Sequence, residues 1–189
     1  MPTLKTARLT LAFPILHDNM DLDHYLRWLN NETVTKFSEQ RHNTHTNETQ
    51  YAHLSSFVDS EDYFWEIQRT GIPIGSITAY RDLPNRVANI GIMIGQPLLW
   101  GQGYACEAME AVCDFLFEEG CRKVEGGCMA ANRGMIRTLE KVGFEYEATV
   151  GSHFLLNGKP EDKVIYGKYN QAKVIPIRTD NTKAGQEFF

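Results

Sequence analysis

The spacing of apolar residues predicts one strand and two helices in the first third of the chain. ARLTLAF (residues 7–13) alternates loosely between apolar and polar positions, which is typical of a strand. Residues 22–29 place apolar side chains at i, i+3, i+4 and i+7, as a short amphipathic helix requires. A second helix is predicted from about 49 to 58. Residues 37–50 form a long polar stretch, and loops of this length are more often functional than purely structural.

The middle of the chain predicts three strands followed by a glycine-rich loop and a helix. The strands are YFWEIQ (63–68), PIGSITAY (73–80) and VANIGIMIG (87–95). The last of these is almost continuously apolar, which predicts a strand that is covered on both faces. After the loop, apolar residues at helical spacing predict a helix that begins near Ala105 and is closed by Gly120.

The last third predicts a strand, a helix and a hairpin. CRKVEGGCM (121–129) reads as a strand, and Asn132 begins a helix that ends at Gly143. Residues 144–169 predict a hairpin whose turn is the Asn157-Gly158 pair. The resulting order, β-α-α-β-β-β-α-β-α-β-β, indicates an α/β fold with a mixed sheet.

Composition narrows the classes of partner. The 189 residues suit one domain, predicted over 1–169, with a polar tail over 170–189. A net charge of −5 excludes the basic surface typical of nucleic-acid binders and predicts no membrane-surface binding. Because the first residues lack an apolar signal core, we expect a cytoplasmic protein, and exposed strand edges suggest a monomer or a homodimer.

The stretch LLWGQGYACEAME (98–110) has the composition of a phosphate-binding loop. It lacks the Lys and the spacing of a Walker A loop. A dinucleotide fingerprint needs G-x-G-x-x-G/A, but Ala105 stands one place early, although Glu125 imitates the ribose-binding acid. That fingerprint also belongs to the first strand–helix turn of its domain. The remaining alternatives are a tight glycine turn and a pyrophosphate held by the amides of residues 102–105.

Two motifs together resemble the GNAT N-acetyltransferases, and within them the branch of ribosomal-protein N-terminal acetyltransferases. NIGIMIGQPLLWGQGYACEAMEAVCDFLF is followed by NRGMIRTLEKVGF, and the resemblance covers about residues 5 to 168. The family's R/Q-x-x-G-x-G/A motif falls on residues 100–105, with Trp100 in its first position. The resemblance implies a single-domain α/β fold with a mixed, mostly antiparallel sheet between helices and one splayed parallel strand pair.

The resemblance also implies an acetyl-CoA site. The main chain of the central strand would pair with the pantetheine arm through Ile92, Met93 and Ile94. The pyrophosphate would lie on the loop residues Trp100, Gly101, Gln102, Gly103, Tyr104 and Ala105. Asn132 would contact the cofactor and is equally well explained as a helix N-cap.

The catalytic positions of the family are less well matched. The resemblance implies direct attack of an amine on the thioester, helped by a base and sometimes by an acid. The two usual acid positions hold Met135 and Leu139, and Asn89 replaces a common Glu before the central strand. A backbone amide near Met93 or Ile94 would polarise the carbonyl oxygen.

The remaining candidates for a general base lie in segments predicted to face the acceptor. Glu39 in the long polar loop is the first candidate and Glu66 the second, and each is also explained as an ordinary surface or strand carboxylate. Asp162 and Tyr166 match family positions that would hold the last hairpin and the pocket wall. Three histidines titrate near neutrality but form no credible metal set, so no metal is predicted. They are His42, His45 and His153.

Two functional hypotheses follow, one for an enzyme and one for a binding protein. The first is an acetyl-CoA-dependent N-acetyltransferase whose acceptor is a primary amine on a protein N-terminus, an amino sugar, a polyamine or an antibiotic. The second is a non-catalytic acyl-CoA-binding sensor, motivated by the apolar residues Met135 and Leu139. Amine-dependent release of free thiol from acetyl-CoA distinguishes the two hypotheses.

Overall fold

A computed structural model describes residues 1–17 and 20–170. The strands are β1 (Leu4–Lys5), β2 (Thr10–Ala12), β3 (Tyr63–Arg69), β4 (Ile72–Asp82), β5 (Val87–Ile94), β6 (Lys123–Met129), β7 (Glu145–Leu156) and β8 (Lys159–Tyr169). The helices are α1 (Asp23–Leu29), α2 (Glu32–Thr35), α3 (Asn47–Ser55), α4 (Tyr104–Glu118) and α5 (Arg133–Lys141). Short 3-10 turns lie at Glu39–His42 and Pro97–Leu99.

The strands form one sheet in the order β1-β2-β3-β4-β5-β6-β8-β7. Among the described strands, β5 and β6 are the one parallel pair of neighbours. Their pairing joins Val87–Asn89 to Lys123–Glu125 and then stops, although both strands continue. The predicted α/β fold with a splayed parallel pair is therefore confirmed.

Local sequence explains where the helices and turns end. Gly120 and Gly143 follow α4 and α5 with φ values of +99° and +85°, a conformation that closes a helix and that glycine adopts at little cost. The hairpin between β7 and β8 turns at Asn157-Gly158, where φ is +52° and +75°. Such paired positive φ angles are typical of the two-residue turn that this dipeptide predicts.

Helices cover both faces of the sheet, and each face has its own hydrophobic core. The α4–α5 face holds the larger cluster, in which Trp65, Met109 and Leu116 are fully buried. The α1–α3 face holds a smaller and mainly aromatic cluster that includes Tyr25 and Phe64. Met93 packs against this second cluster, so alternate residues of β5 point to opposite faces.

Three sequence predictions differ from the structure. The polar loop 37–50 contains the 3-10 turn capped by Ser38 and the start of α3 capped by Thr46, and the short helix α2, which was not predicted, precedes it with Asn31 as its cap. Strand β5 is not covered on both faces: Asn89 and Gly91 are exposed where the α1–α3 layer ends. The buried face of α1 includes Trp28, which the predicted apolar stripe left out.

The last described residue packs against the end of α4. Asn170, which the sequence assigns to the tail over 170–189, is buried, and its amide nitrogen donates to the carbonyl oxygens of Phe117 and Cys121 at 3.3 Å each. The rest of the predicted tail, 171–189, lies outside the described residues. Within 1–17 and 20–170, no helix combines the length and the apolar character needed to span a bilayer.

Candidate active site

The opening between β5 and β6 exposes main-chain groups in the middle of the sheet. Gly95 N–H donates to Ile74 O at 2.8 Å, so the main chain of odd-numbered β5 residues faces β4. By alternation, the main chain of Ile92 and Ile94 faces the opening. Met93 stands opposite Ser76 of β4, and its backbone faces that strand. Of the three strand residues predicted to bind pantetheine, Ile92 and Ile94 therefore offer main-chain groups to the opening.

Trp100 closes the far end of this opening. Its indole Nε1 donates to Ile94 O at 2.8 Å, and about half of the side chain is exposed. This hydrogen bond satisfies the Ile94 carbonyl, which is the last carbonyl of β5 that faces the opening, and it holds the start of the glycine loop against the strand. Trp100, the residue that departs from the family's usual Arg or Gln, thus positions the loop through a side-chain hydrogen bond.

The loop between Trp100 and α4 has the backbone of an anion cradle. Gly101 and Gly103 have φ values of +76° and +84°, and no atom lies within 4 Å of a Cβ added at Gly101. Gly103 is the N-cap of α4 and supplies no side-chain acceptor. Within the described chain, the amides of 101–106 have no acceptor. These amides and the helix dipole favour an anion at this end of α4.

A second helix N-terminus, that of α5, lies at the same edge of the sheet, but one of its backbone amides is bonded by a side chain. Asn132 is the N-cap of α5, and its Oδ1 accepts from Met135 N at 3.1 Å. The N-cap explanation of Asn132 is therefore confirmed. Because β5 and β6 are parallel, both following helices begin beyond the carboxyl ends of these strands, where ligands bind in open α/β sheets.

Two arginines that sequence analysis did not identify lie beside the loop. Arg8 donates through Nη1 to Gln102 O at 3.0 Å and through Nε to Glu107 at 2.5 Å. Its guanidinium lies 4.4 Å from the centre of the Tyr104 ring, and that of Arg69 lies 5.5 Å from it. Tyr104 is buried between them, and the two cations add positive charge beside the predicted pyrophosphate position.

Glu107 anchors the N-terminal segment to the first turn of α4. It accepts from Thr6 Oγ1 at 2.5 Å and from the backbone N–H of Arg8 at 2.8 Å. Burial opposes ionisation, but the hydrogen bonds from Thr6 and Arg8 outweigh it and lower the pKa of Glu107. The only sequence signal for this contact is an acidic residue in the first turn of α4, which complements the helix dipole.

Glu66 lies on the α1–α3 face as a buried and fully bonded carboxylate. His24 Nε2 lies 3.0 Å from its Oε2, Tyr25 OH donates to the same oxygen at 2.9 Å, and Gln68 donates to Oε1 at 2.8 Å. Burial acts to raise the pKa of Glu66, but these hydrogen bonds prevail and lower it. Ionised Glu66 is therefore a weak proton acceptor that orders α1 against β3.

Glu39 lies in the 3-10 turn above the sheet and is mostly exposed. Arg41 Nη1 donates to Glu39 Oε1 at 2.8 Å, and Arg41 Nη2 donates to Leu155 O at 2.9 Å. The second bond joins the turn to the β7–β8 hairpin, so these two segments are in direct contact, and we name this contact the Arg41 junction. His42 lies in the same turn and is exposed, and His153 lies in that hairpin.

The other sequence candidates have structural partners. Leu139 is fully buried in the larger core, and Met135 packs partly against it. Asp162 Oδ1 accepts from Ser152 N–H at 2.7 Å, across the bulge of the last hairpin. Tyr166 is buried on the α4–α5 side, and burial with the nearby Glu140 raises its pKa. Within the described ranges, no cluster of three potential metal ligands exists.

A cleft of about 590 Å³ lies between α1 and the ends of β4 and β5. Its walls include Trp28, Gly95 and Pro97, with His24 and Arg27 as charged or titratable members. Trp28 fills the space above Gly95, where an added Cβ would lie 2.0 Å from the indole ring. Sequence analysis did not identify this cleft, because α1 reaches β5 only through tertiary packing.

Known acetyltransferases resemble this chain in sequence or in fold, and three of them are described below. The Bacillus subtilis probable N-acetyltransferase YjcK is 35% identical over 71 residues, which are 37% of this chain and 39% of that protein. This chain thus matches less than half of that relative's length. The microcin C7 self-immunity acetyltransferase MccE, solved with acetyl-CoA and AMP, has a TM-score of 0.76 at 19% identity, covering 87% of this chain and 94% of that one.

The third resemblance is to a ribosomal-protein acetyltransferase. The Salmonella typhimurium enzyme that modifies the N-terminal serine of ribosomal protein L7/L12 has a TM-score of 0.74 at 16% identity, over 89% of this chain and 99% of that one. At these identities the two solved structures show a shared fold. The model of the acetyltransferase (GNAT) domain matches residues 8–145, so the chain belongs to this family, as its glycine motif predicts.

Proposed function

We propose that this chain is an acetyl-CoA-dependent N-acetyltransferase that moves the acetyl group to a primary amine by direct attack while both substrates are bound. GNAT acetyltransferases use acetyl-CoA as the acetyl donor. The observation that carries the proposal is the opened pair β5–β6 beside the uncapped N-terminus of α4. This arrangement supplies unpaired main-chain groups for an extended arm and free amides for a pyrophosphate.

The donor would lie along residues at one edge of the sheet. The amides of Gly101 to Ala105 would hold the pyrophosphate, with the Arg8 guanidinium close by. The main chain of Ile92 and Ile94 would pair with the pantetheine arm as a further strand would. Asn132 already accepts a bond through its Oδ1, so its Nδ2 would contact the donor.

The acetyl carbonyl carbon is the electrophile. The protein would orient it, stabilise the negative charge that develops on its oxygen and accept the proton of the amine. An outward amide of β5, at Ile92 or Ile94, would donate to the thioester oxygen as negative charge develops there. The amine would enter from the α1–α3 face, beside the Arg41 junction of the Glu39–His42 turn and the last hairpin. A carboxylate on that face would receive the proton, and Glu39 and Glu66 stay predictions for this role.

Entry beside the Arg41 junction would suit an acceptor that reaches the site as a chain end or a small molecule. The junction consists of the exposed 3-10 turn and the hairpin, joined by the bond from Arg41 to Leu155 O. We extend the proposal to a cytoplasmic enzyme, monomeric or homodimeric, that acts on a peptide N-terminus or a small amine. The acetylation of a ribosomal protein by a structurally similar enzyme supports the peptide alternative.

The first experiment measures binding and turnover. Acetyl-CoA and NAD are titrated separately by calorimetry, and thiol release from acetyl-CoA is then followed with four amines. The amines are a peptide beginning with serine, a peptide beginning with alanine, spermidine and glucosamine. We expect acetyl-CoA binding and amine-dependent thiol release. Binding without release from any amine would favour the acyl-CoA sensor, and absence of acetyl-CoA binding would contradict the proposal.

A matched pair of glycine variants tests the loop. In Gly103→Val, a β-branched residue must adopt a φ of +84° beside Arg8, 3.4 Å from its new Cβ. A left-handed backbone costs an L-residue roughly 1–2 kcal/mol, so the loop of this variant should leave the conformation that presents its amides. We therefore expect acetyl-CoA affinity to fall about tenfold or more. Gly143→Val places the same residue at a φ of +85° after α5 and controls for strain alone. Equal affinities in the two variants would contradict a binding role for the loop.

A further inference from the structure

The point at which β5 and β6 separate carries a carboxylate that no other part of the mechanism uses. Asn89 and Glu125 are the last partners in the parallel register, and beyond them the strands diverge. We define the vertex as this pair, Asn89 and Glu125. The predicted pyrophosphate loop lies past the opposite, carboxyl end of β5. An arm that runs back from that loop along Ile94 and Ile92 therefore carries its thioester towards the vertex.

The Glu125 side chain lies on the face from which the acceptor would enter. Its neighbours Val124 and Cys128 are in the α4–α5 core, and successive strand residues alternate, so Glu125 points to the other face. Asn89 points to the same face, because Ala88 and Ile90 belong to the α4–α5 core. Asn89 is exposed and Glu125 is partly exposed, so the vertex is reachable from this face.

Two glycines lie next to the vertex. Gly91 and Gly127 follow Asn89 and Glu125 by two residues, and they therefore lie on the same face. A Cβ added at Gly91 would meet the Thr78 hydroxyl at 3.2 Å, and one at Gly127 would meet Val164 O at 3.0 Å and Lys163 Cε at 3.3 Å. A larger residue would press on these neighbours, so the two glycines keep the main chain at the surface beside the vertex.

Glu125 has one oxygen held and one available. Lys123 Nζ donates to Glu125 Oε1 at 2.7 Å and to Glu147 Oε2 at 2.7 Å. Glu147 also accepts from the Tyr169 hydroxyl, so both of its oxygens are engaged. No residue of the described chain donates to Glu125 Oε2, and a third of the Glu125 side chain is exposed. Of the two carboxylates on Lys123, Glu125 alone lies at the vertex with a free oxygen.

We propose that Glu125 binds the acceptor's ammonium group at the vertex and accepts its proton, a role that rests on the proposed acetyltransferase function. One proton passes from the ammonium to Glu125 Oε2 and on to solvent. The nitrogen lone pair then forms a bond to the acetyl carbonyl carbon, and the carbon–sulfur bond breaks. The thiolate leaves with that electron pair and takes the second nitrogen proton. Asn89, across the vertex, supplies an amide oxygen to the amine.

The test compares Glu125→Gln with Glu147→Gln, two variants that each remove one partner of Lys123. The rate of thiol release is measured with whichever of the four amines the wild-type chain acetylates fastest. General base catalysis typically contributes about 10²-fold or more, so we expect that loss of kcat/KM in Glu125→Gln. In Glu147→Gln we expect a rate within about threefold of wild type, since a partly exposed ion pair contributes little.

Controls separate catalysis from folding and from donor binding. Calorimetry should give the same acetyl-CoA affinity for both variants and the wild type, and Glu125→Asp should recover part of the rate. Equal losses in the two Gln variants, or a wild-type rate in Glu125→Gln, would overturn the role of Glu125 while leaving the enzyme an acetyltransferase. Absence of thiol release from the wild-type chain with all four amines would overturn both proposals.

Discussion

The two faces of the sheet are built by different means. On the α4–α5 face, the 15-residue α4 and the 9-residue α5 bury a large, mainly aliphatic core, and the donor loop uses backbone amides. On the α1–α3 face, helices of four to nine residues rest on a small aromatic cluster, and side chains such as Glu66 and Arg41 hold the segments together. The helices and the loop of the first face are marked by local sequence pattern, whereas these side-chain bonds of the second face join residues distant in sequence.

This difference matches the two tasks proposed for the faces. A pyrophosphate is the same in every reaction of this kind, and backbone amides at a helix N-terminus bind it whatever side chains surround them. An acceptor amine is specific to each enzyme, and its recognition depends on side chains. Asn89 is exposed and a third of the Glu125 side chain is exposed, so the vertex is reachable from the α1–α3 face.

The largest effect we expect is on stability, and it compares two fully buried leucines. Leu116 lies in the α4–α5 core and Leu54 in the α1–α3 core, and both have no exposed surface. Leu→Ala substitutions in cores cost about 2–5 kcal/mol, and the cost rises where neighbours cannot close the cavity. We expect the loss in the free energy of unfolding, measured by urea unfolding, to lie near the upper end of this range for Leu116→Ala and near the lower end for Leu54→Ala. A larger loss of stability in Leu54→Ala than in Leu116→Ala would contradict the difference between the faces.

A medium effect is expected at Glu66, with a defined dependence on pH. Glu66→Gln replaces a buried acceptor of three hydrogen bonds, which should reduce the free energy of unfolding at pH 7 by about 1–3 kcal/mol. The pKa of Glu66 is lowered in the folded chain, so its contribution is complete above the ordinary value of 4.5. It is lost as pH falls through the lowered folded-state pKa.

The measurement is the difference in unfolding free energy between wild type and Glu66→Gln from pH 7 to pH 3. We expect the difference to be constant down to about 4.5 and to shrink below it. Glu39→Gln serves as the control, because Glu39 is mostly exposed and its removal should change stability little. A difference that stays constant throughout this range would show that Glu66 is not held ionised by its donors.

The smallest effect is expected at Arg41, which joins the 3-10 turn to the last hairpin. Arg41→Ala removes the bond to Leu155 O and the pair with Glu39, and we expect a stability loss of about 1 kcal/mol or less. The KM for the best amine should rise several-fold, while acetyl-CoA affinity stays unchanged. Arg81→Ala is the matched control, because Arg81 has a similar exposure and also pairs with a glutamate. Equal KM changes in both variants would show that the Arg41 junction has no part in acceptor binding.

The donor side of the site was largely predictable from the sequence. The glycines at 101 and 103, the helix that follows them and the Asn132 cap each leave a local signature in spacing or residue type. The acceptor side was predicted less well. The sequence singled out Glu66 as a candidate base, but the hydrogen bonds that enclose it come from His24 and Tyr25, which lie more than 40 positions away in the chain. Arg8 and Arg69 carry no local sign that they approach Tyr104.

The sequence by itself determined the periodic elements, the helix ends, the hairpin turn and the phosphate loop, because each of these follows from interactions among residues close in the chain. Only the tertiary structure decided that β5 and β6 pair for three residues and then separate. It also decided that Glu125 stands at that vertex. Strand pairing is a non-local choice among many registers, and it is fixed by how the two cores pack rather than by any single segment.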